Sequence, residues 1–111
     1  MITLYHNPRC SKSRQTLELL REQKIEPTII EYIKNPLTKK ELQTILKMLN
    51  MQPSELLRKN EAIYKELKPQ TESEILAAMV AHPKLIQRPI VVKNNTAALG
   101  RPPENILILF K

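Results

Sequence analysis

The sequence predicts an α/β fold within one domain of 111 residues. Three observations indicate this class: a strand–helix–strand pattern opens the chain, helical spacing dominates residues 37–83, and two short apolar segments joined by an Asn-Asn pair follow. With 41% apolar residues, the chain is able to build one hydrophobic core. We therefore expect a single globule.

The N-terminal part has the pattern of a parallel strand–helix–strand unit. The segment "ITLY", residues 2–5, stops at an Asn-Pro pair and predicts a first strand. Residues 11–24 place leucines on one face and charged residues on the other, which predicts an amphipathic helix. The β-branched segment "TIIEYI", residues 28–33, predicts a second strand, and such a unit is normally a right-handed crossover.

Helix-start signals dominate the middle of the chain. Thr38 with Glu41 has the spacing of a capping box ahead of an apolar series, and Thr71 with Glu74 repeats it. A short helix is predicted over residues 53–57, because a proline stands at its first position. The middle of the chain is therefore predicted to be all-helical.

The C-terminal part predicts an antiparallel hairpin and a final helix. The segments 89–93 and 96–100 flank Asn94-Asn95, which suit a type I′ turn because asparagine tolerates positive φ. The last segment, "PPENILILF" at 102–110, has proline and glutamate at helix-start positions. We expect a helix there, although the apolar run alone is also compatible with a buried strand.

Charge and composition restrict the classes of partner. The chain carries 18 Lys and Arg against 11 Asp and Glu, a net charge of +7, which favours anionic partners. Binding of single-stranded nucleic acid usually needs aromatic stacking platforms, yet there are one Phe, three Tyr and no Trp. No signal peptide or membrane-length apolar run is present, so we expect a cytoplasmic protein without membrane or nucleic-acid partners.

The only cysteine, Cys10, lies where the first predicted strand gives way to the first predicted helix. Unpaired backbone N–H groups at a helix N-terminus stabilise an anion, and Arg9, Lys12 and Arg14 add positive charge. Both effects favour the thiolate, which is the nucleophilic form of cysteine. The same N–H groups suit an incoming oxyanion. The pattern therefore indicates nucleophilic attack on an oxyanion centre.

Other interpretations of these residues are structural. A lone cysteine is more often a small buried hydrophobic residue, although the polar and charged neighbours of Cys10 argue against an apolar site. Zinc binding is poorly supported, because one cysteine with the widely separated His6 and His82 gives no ligand spacing. His6 either adjusts the pKa of the Cys10 thiol or caps the loop.

Several motifs in register resemble the ArsC family of glutaredoxin-linked arsenate reductases. These are "YHNPRCSKSR", "LLRKN", "RPIVV" and "GRPPE", and the similarity runs from Ile2 to about Leu109. The resemblance implies a thioredoxin-like fold over residues 1–111, with a helical insertion at about 37–83. It also implies a cis peptide bond before Pro89.

The resemblance assigns roles to particular residues. It implies that Cys10 is the catalytic cysteine, that His6 assists it, and that Arg58, Arg88 and Arg101 bind the oxyanion. Three guanidinium groups would suit a tetrahedral oxyanion, since each can donate paired hydrogen bonds.

The loop after the cysteine, made of Ser11, Lys12, Ser13 and Arg14, is expected to support the thiolate. It is also where this chain departs from the well-studied resistance enzymes, which have small uncharged residues at the first two of these positions. The chain also lacks the longer C-terminal tail of those enzymes and is similar to a shorter branch of the family.

The resemblance implies reduction of arsenate to arsenite through a Cys10 adduct, with glutathione as co-substrate and glutaredoxin as partner. A single cysteine gives a physical reason for an outside thiol, because a two-electron reduction leaves two sulfurs in a disulfide. No bound cofactor or metal is expected, and we expect a monomer.

Two other functions remain open. A glutathione-linked thiol reductase acting on another substrate would use the same Cys10. Spx-type regulators share the fold and bind RNA polymerase, but those that sense oxidation typically use a Cys-x-x-Cys pair. Here Ser13 stands at the second position, so an internal disulfide switch is impossible.

Overall fold

The computed structural model describes residues 2–110, which form two compact units. Unit 1 is built from segments 2–35 and 88–110, and unit 2 is the intervening segment Pro36–Gln87. Unit 1 contains strands and helices, whereas unit 2 is helical apart from one isolated β-bridge. The α/β class is confirmed, while the organisation as one domain with an insertion stays a prediction.

Unit 1 is centred on a four-stranded sheet. Its strands are β1 (Ile2–Tyr5), β2 (Thr28–Ile30), β3 (Ile90–Lys93) and β4 (Thr96–Leu99), in the spatial order β2-β1-β3-β4. The β1–β2 pair is parallel, as the strand–helix–strand pattern predicts, and the other two pairs are antiparallel. The N-terminal strand thus lies inside the sheet, and the chain that follows it leaves from the sheet's interior.

Strand β2 is shorter than predicted, because it ends at Ile30 rather than at residue 33. Its last hydrogen bond runs from the His6 N–H to the Ile30 carbonyl, at 2.8 Å. The neighbouring β1 turns away at this point, so residues 31–35 have no strand to pair with and form turns instead. β-propensity in this segment is therefore overridden by the loss of a partner.

Helix α1 (Ser11–Glu22) follows β1 and ends two residues earlier than predicted. Lys24 adopts the left-handed conformation with φ 62°, and the Ile25 N–H bonds the Leu20 carbonyl at 2.9 Å. This is the Schellman closure, made here without the usual glycine. The buried face of α1 joins a hydrophobic cluster with the sheet and the C-terminal segment. Its fully or nearly buried members are Leu4, Leu20, Val91, Ala98 and Ile106.

The C-terminal part of unit 1 contains the predicted hairpin and a helix of the 3-10 type over Pro103–Phe110. The helical prediction for this segment is confirmed, and the strand alternative is wrong. Between β3 and β4, Asn94 has φ 56°, but Asn95 is not among the described residues with positive φ. The turn therefore lacks the second positive φ of type I′, and that detail of the prediction is wrong.

Unit 2 contains four α-helices and a short 3-10 turn. These are α2 (Lys39–Leu49), α3 (Pro53–Leu56), α4 (Ala62–Leu67), α5 (Glu72–Ala81) and the turn Pro83–Leu85. Both predicted capping boxes are present, at the starts of α2 and α5. Helices α2 and α3 and the 3-10 turn pack against α5 around apolar side chains such as Leu42, Leu56 and Met79. Among the described helices, none is long and apolar enough to span a membrane.

Candidate active site

Cys10 is the N-cap residue of α1 and lies in the loop that leaves β1. Its backbone is extended, with φ −92° and ψ 123°, and its own N–H bonds the Asn7 carbonyl at 2.9 Å. No side chain caps the start of this helix, and no acidic residue occupies its first turn. The first N–H groups of α1 are therefore left to the sulfur of Cys10 and to whatever approaches it.

The surroundings of the sulfur favour the thiolate. Partial burial is the largest single influence and raises the pKa of the Cys10 thiol. The Ser13 N–H, the Arg88 guanidinium and the Lys12 N–H act in the opposite direction, and together they hold the pKa below its ordinary value. Since the thiolate is the nucleophilic form, Cys10 is activated by hydrogen-bond donors and one nearby cation.

The cation that lowers this pKa is Arg88, which is remote in sequence. Arg9, Lys12 and Arg14 have exposed side chains, and their charges are not among the contributions to the shift. Lys12 contributes only through its backbone, and Arg14 donates from Nη1 to the Pro8 carbonyl at 2.9 Å. This differs from the sequence-based expectation, in which these three side chains supply the charge that favours the thiolate.

Arg88 and Arg101 are brought together within unit 1. Arg101 Nη1 donates to the Arg88 carbonyl oxygen at 3.1 Å, and both arginines precede prolines through cis peptide bonds, to Pro89 and Pro102. Arg88 Nε is buried and has no hydrogen-bond partner among the described residues. A buried cationic N–H without an acceptor suits an anionic ligand, because leaving such a donor unsatisfied is costly.

The only glycine, Gly100, stands where β4 meets α1 and the segment before β3. Its N–H bonds the Pro89 carbonyl at 2.9 Å. A Cβ at this position would lie 2.5 Å from Thr16 Oγ1 and 2.7 Å from Pro89 Cγ. Glycine is therefore required here for close approach, which places Arg101, the next residue, beside Arg88.

His6 and Ser13 form a buried pair beside the cysteine loop. His6 Nδ1 lies 2.6 Å from Ser13 Oγ, and the Asn7 N–H donates to the same oxygen at 3.0 Å. Ser13 is fully buried and its N–H lowers the pKa of the Cys10 thiol, so one residue contacts the histidine and influences the thiol. This link was not found from the sequence, although a histidine at the strand end and a serine in the first helical turn are its local signal.

The position of His6 favours an uncharged ring. Burial is the largest influence and lowers the pKa of His6; Glu31 acts against it, while Arg21 and Arg14 lower the pKa further. A neutral histidine can fix the orientation of Ser13 through the 2.6 Å contact, but it adds no positive charge near the sulfur. The structure thus favours an orienting role for His6 over an electrostatic one.

Arg58, the third arginine implied by the resemblance, belongs to unit 2. Its N–H bonds the Leu85 carbonyl at 2.7 Å, next to an isolated antiparallel bridge between Leu57 and Ile86. The side chain is largely buried, and its Nε lies 3.6 Å from a Glu61 carboxylate oxygen but has no hydrogen-bond partner among the described residues. Its part in oxyanion binding stays a prediction.

Within unit 1, the site therefore combines a nucleophile with an anion-binding environment. Cys10, the N-terminal N–H groups of α1 and Arg88 provide a thiolate and positive donors, and Arg101 donates to the Arg88 carbonyl. The part of Arg101 in oxyanion binding stays a prediction. Such a site can attack a tetrahedral oxyanion and stabilise the negative charge on its oxygens. Among residues 2–110, no group of three or more His, Cys, Asp or Glu side chains could hold a metal ion.

Comparison with known proteins adds independent information. The model of the ArsC family matches residues 5–109. An uncharacterized Escherichia coli protein, YfgD, is 47% identical over 96% of this chain and 93% of its own length. An arsenate reductase of the same bacterium is 43% identical over 96% of this chain and 78% of its own.

Solved structures agree with this result. The arsenate reductase from Vibrio cholerae superposes with a TM-score of 0.92 at 43% identity, covering 96% of this chain and 95% of that one. The likeness confirms the thioredoxin-like fold class implied by the sequence motifs.

Proposed function

Because this chain belongs to the ArsC family, we propose that it is an arsenate reductase with Cys10 as its nucleophile. The observation that carries the proposal is the Cys10 thiol at the bare N-terminus of α1, with its pKa lowered by the Ser13 N–H and the Arg88 guanidinium against the opposing effect of burial. Relatives of similar length and about 40% identity, such as that of Haemophilus influenzae, are named arsenate reductases. The proposal places the reaction in the cytoplasm, where the thiol stays reduced.

The proposed reaction begins with attack of the Cys10 thiolate on arsenic(V). A sulfur–arsenic bond forms and one arsenate oxygen leaves as water after protonation. Arg88 and Arg101, and by the family resemblance Arg58, bind the remaining oxygens. His6 acts by holding Ser13, whose N–H stabilises the sulfur anion.

A second thiol completes the reduction, because the chain has no other cysteine. We propose glutathione for this role, followed by a glutaredoxin that resolves the mixed species with release of arsenite. In total, one arsenate and two thiols give one arsenite, one disulfide and one water, so the electron pair comes from the two sulfurs.

Arsenate-dependent NADPH consumption tests this proposal. The assay contains the protein, glutathione, glutaredoxin and glutathione reductase, with the Cys10→Ser variant as control. We expect consumption that requires both arsenate and Cys10. If the full mixture shows no consumption with arsenate, while the protein without glutaredoxin consumes NADPH with a glutathione mixed disulfide in a Cys10-dependent reaction, it is a thiol reductase of another substrate and the proposal is wrong.

A further inference from the structure

Three exposed cations lie within four residues of the thiol along the chain. Arg9, Lys12 and Arg14, here called the cationic rim, flank Cys10 on both sides along the chain. None of them forms an ion pair within 4 Å among the described residues, whose ion pairs all involve other lysines and arginines. The rim therefore carries positive charge that no carboxylate in this part of the chain neutralises.

Lys12 occupies a position where the helix itself disfavours a cation. It is the second residue of α1, near the positive end of the helix dipole, and the first turn contains no acidic residue. Lys40 is the second residue of α2, but Glu41 follows it and closes a capping box. Lysine is thus the second residue of both helices, with a carboxylate beside it in α2 and without one in the first turn of α1.

The side-chain charges of the rim are not among the causes that lower the pKa of the Cys10 thiol. The contributions that lower the pKa of Cys10 against burial come from the Ser13 and Lys12 N–H groups and from Arg88, not from the rim's side-chain charges. Those charges are therefore available to reactants that approach from solvent.

We propose that the cationic rim, with Lys12 as its main determinant, selects carboxylate-bearing thiols as the second reactant at Cys10. The inference rests on the proposed nucleophilic role of Cys10 and adds the residues that select the second thiol. The unpartnered Arg88 Nε is buried and suits a small ligand, whereas the rim side chains are exposed. An exposed cation fits a larger reactant whose charged groups remain in water while its sulfur reaches Cys10.

A thiol–disulfide exchange without arsenic tests the proposal. Cys10 is first blocked as its methyl disulfide with methyl methanethiosulfonate. An incoming thiolate attacks the methyl-bearing sulfur, the old S–S bond breaks, and Cys10 leaves as thiolate, so the electrons balance without another oxidant. Release of the Cys10 thiol is followed by mass spectrometry with 3-mercaptopropionate and with the neutral 2-mercaptoethanol, each rate being corrected to thiolate concentration.

We expect the ratio of the two rate constants, anionic over neutral thiol, to fall about fivefold in Lys12→Glu at low salt, as expected for a two-unit change of charge close by in water. Lys12→Gln should give an intermediate ratio. The matched control is Lys40→Glu, the same charge change at the second residue of α2, and it should leave the ratio unchanged. A ratio that does not fall in Lys12→Glu, or that falls equally in Lys40→Glu, overturns the proposal.

Two alkylation measurements on the unblocked protein distinguish selection of the incoming thiol from tuning of Cys10 and from attraction of small anions. The midpoint of iodoacetamide alkylation against pH measures how far the charge change in Lys12→Glu moves the pKa of Cys10, and a moved pKa alters both exchange rate constants alike because Cys10 is the leaving group in both. A fall of both rate constants by the same factor, with their ratio unchanged, would mean that the rim only tunes the thiol and would overturn the proposal. A loss of preference for iodoacetate over iodoacetamide without any change in the thiol ratio would assign the rim to small anionic electrophiles, and it too would overturn the proposal. Since none of these probes contains arsenic, inactivity toward arsenate would leave the result interpretable.

Discussion

The helices of this protein begin in two different ways. At α2 the Thr38 hydroxyl accepts the Glu41 N–H at 3.1 Å while the Glu41 carboxylate accepts the Thr38 N–H at 2.9 Å, and Thr71 with Glu74 does the same at α5. At α1 the N-cap is Cys10, which makes no side-chain cap hydrogen bond. The capped helices satisfy their own first N–H groups, whereas α1 does not.

The capped helix termini contribute to the stability of the fold, whereas the uncapped terminus of α1 is open to chemistry. A capping box stabilises a helix and leaves its N–H groups unable to bind anything else. A bare N-terminus costs stability but keeps donors free for the Cys10 sulfur and for an anionic ligand. The capping boxes of α2 and α5 therefore stabilise the architecture, whereas α1 lacks a cap at the residue that carries the thiol. Four substitutions test this contrast.

Cys10→Asp should have the largest effect, because it turns the bare terminus into a capped one. Activity should be lost entirely, since no nucleophilic sulfur remains. The free energy of unfolding should nevertheless rise by about 1 kcal/mol, because aspartate is a strong N-cap and an anion at this end of the helix is favourable. Activity and urea unfolding are measured on the same preparation. A variant that is inactive and also less stable would show that the first N–H groups of α1 are not open to a capping side chain.

Arg88→Ala should separate the role of the helix from that of the arginine. Burial raises the pKa of the Cys10 thiol and the Arg88 guanidinium opposes it, so removing Arg88 should move the pKa upward. The alkylation rate at neutral pH should then fall several-fold, with its midpoint at higher pH. The pKa of Cys10 in the folded protein lies below the pKa of the thiol in the unfolded chain. The stability that this difference contributes is therefore fully present at pH values above the unfolded-state pKa, and it is lost as the pH falls through the folded-state pKa. Variant Arg88→Ala should lose part of this pH dependence, and an unchanged midpoint would assign the activation to the N–H groups alone.

Gly100→Ala should show what holds α1 in place without a cap. The added Cβ would meet Thr16 Oγ1 at 2.5 Å and Pro89 Cγ at 2.7 Å, and neither atom ends a flexible side chain. We expect a loss of about 1–3 kcal/mol in the free energy of unfolding, measured in urea. Combining it with Thr16→Ala should recover part of the loss. Strict additivity of the two substitutions would contradict the close contact between Gly100 and Thr16.

Thr38→Ala should have the smallest effect and should touch stability alone. Removal of the α2 cap is expected to lower the free energy of unfolding by about 1 kcal/mol while activity is retained. The control is Thr44→Ala, the same change inside α2, where the hydroxyl bonds the Lys40 carbonyl at 3.0 Å and is exposed. Equal losses in both variants would mean that the cap contributes nothing beyond the ordinary cost of the substitution.

Much of the fold could be predicted from the sequence, because the signals were local. Both capping boxes, the N-terminal crossover and the hairpin depend on residues two to four positions apart or on short periodic segments. The end of β2 at Ile30 could not be predicted, since it depends on where its neighbour β1 turns away. The 3-10 character of Pro103–Phe110 was missed for the same kind of reason, since composition predicts helicity but not the pitch that packing imposes.

The site was predictable in its local part only. The placement of Cys10 at a helix start followed from the pattern, and the structure agrees. Arg88 lies far along the chain, and only the family resemblance indicated that it would reach the thiol. Ser13 was expected merely as part of a supporting loop, because its burial and its contact with His6 depend on how α1 packs against the end of β1. Long-range placement is what local patterns cannot specify.

The interior position of β1 in the sheet has a consequence for the newly synthesised chain. β1 is synthesised before its antiparallel neighbour β3, which is paired with it from Ile2–Lys93 to Tyr5–Ile90 and leaves the ribosome only after the long intervening segment. Until then the Cys10 loop has neither its sheet nor Arg88, and an unfolded thiol has an ordinary, weakly acidic character. The nucleophile therefore matures only after β3 has been synthesised, and before that its thiol has only the ordinary reactivity of an unfolded cysteine.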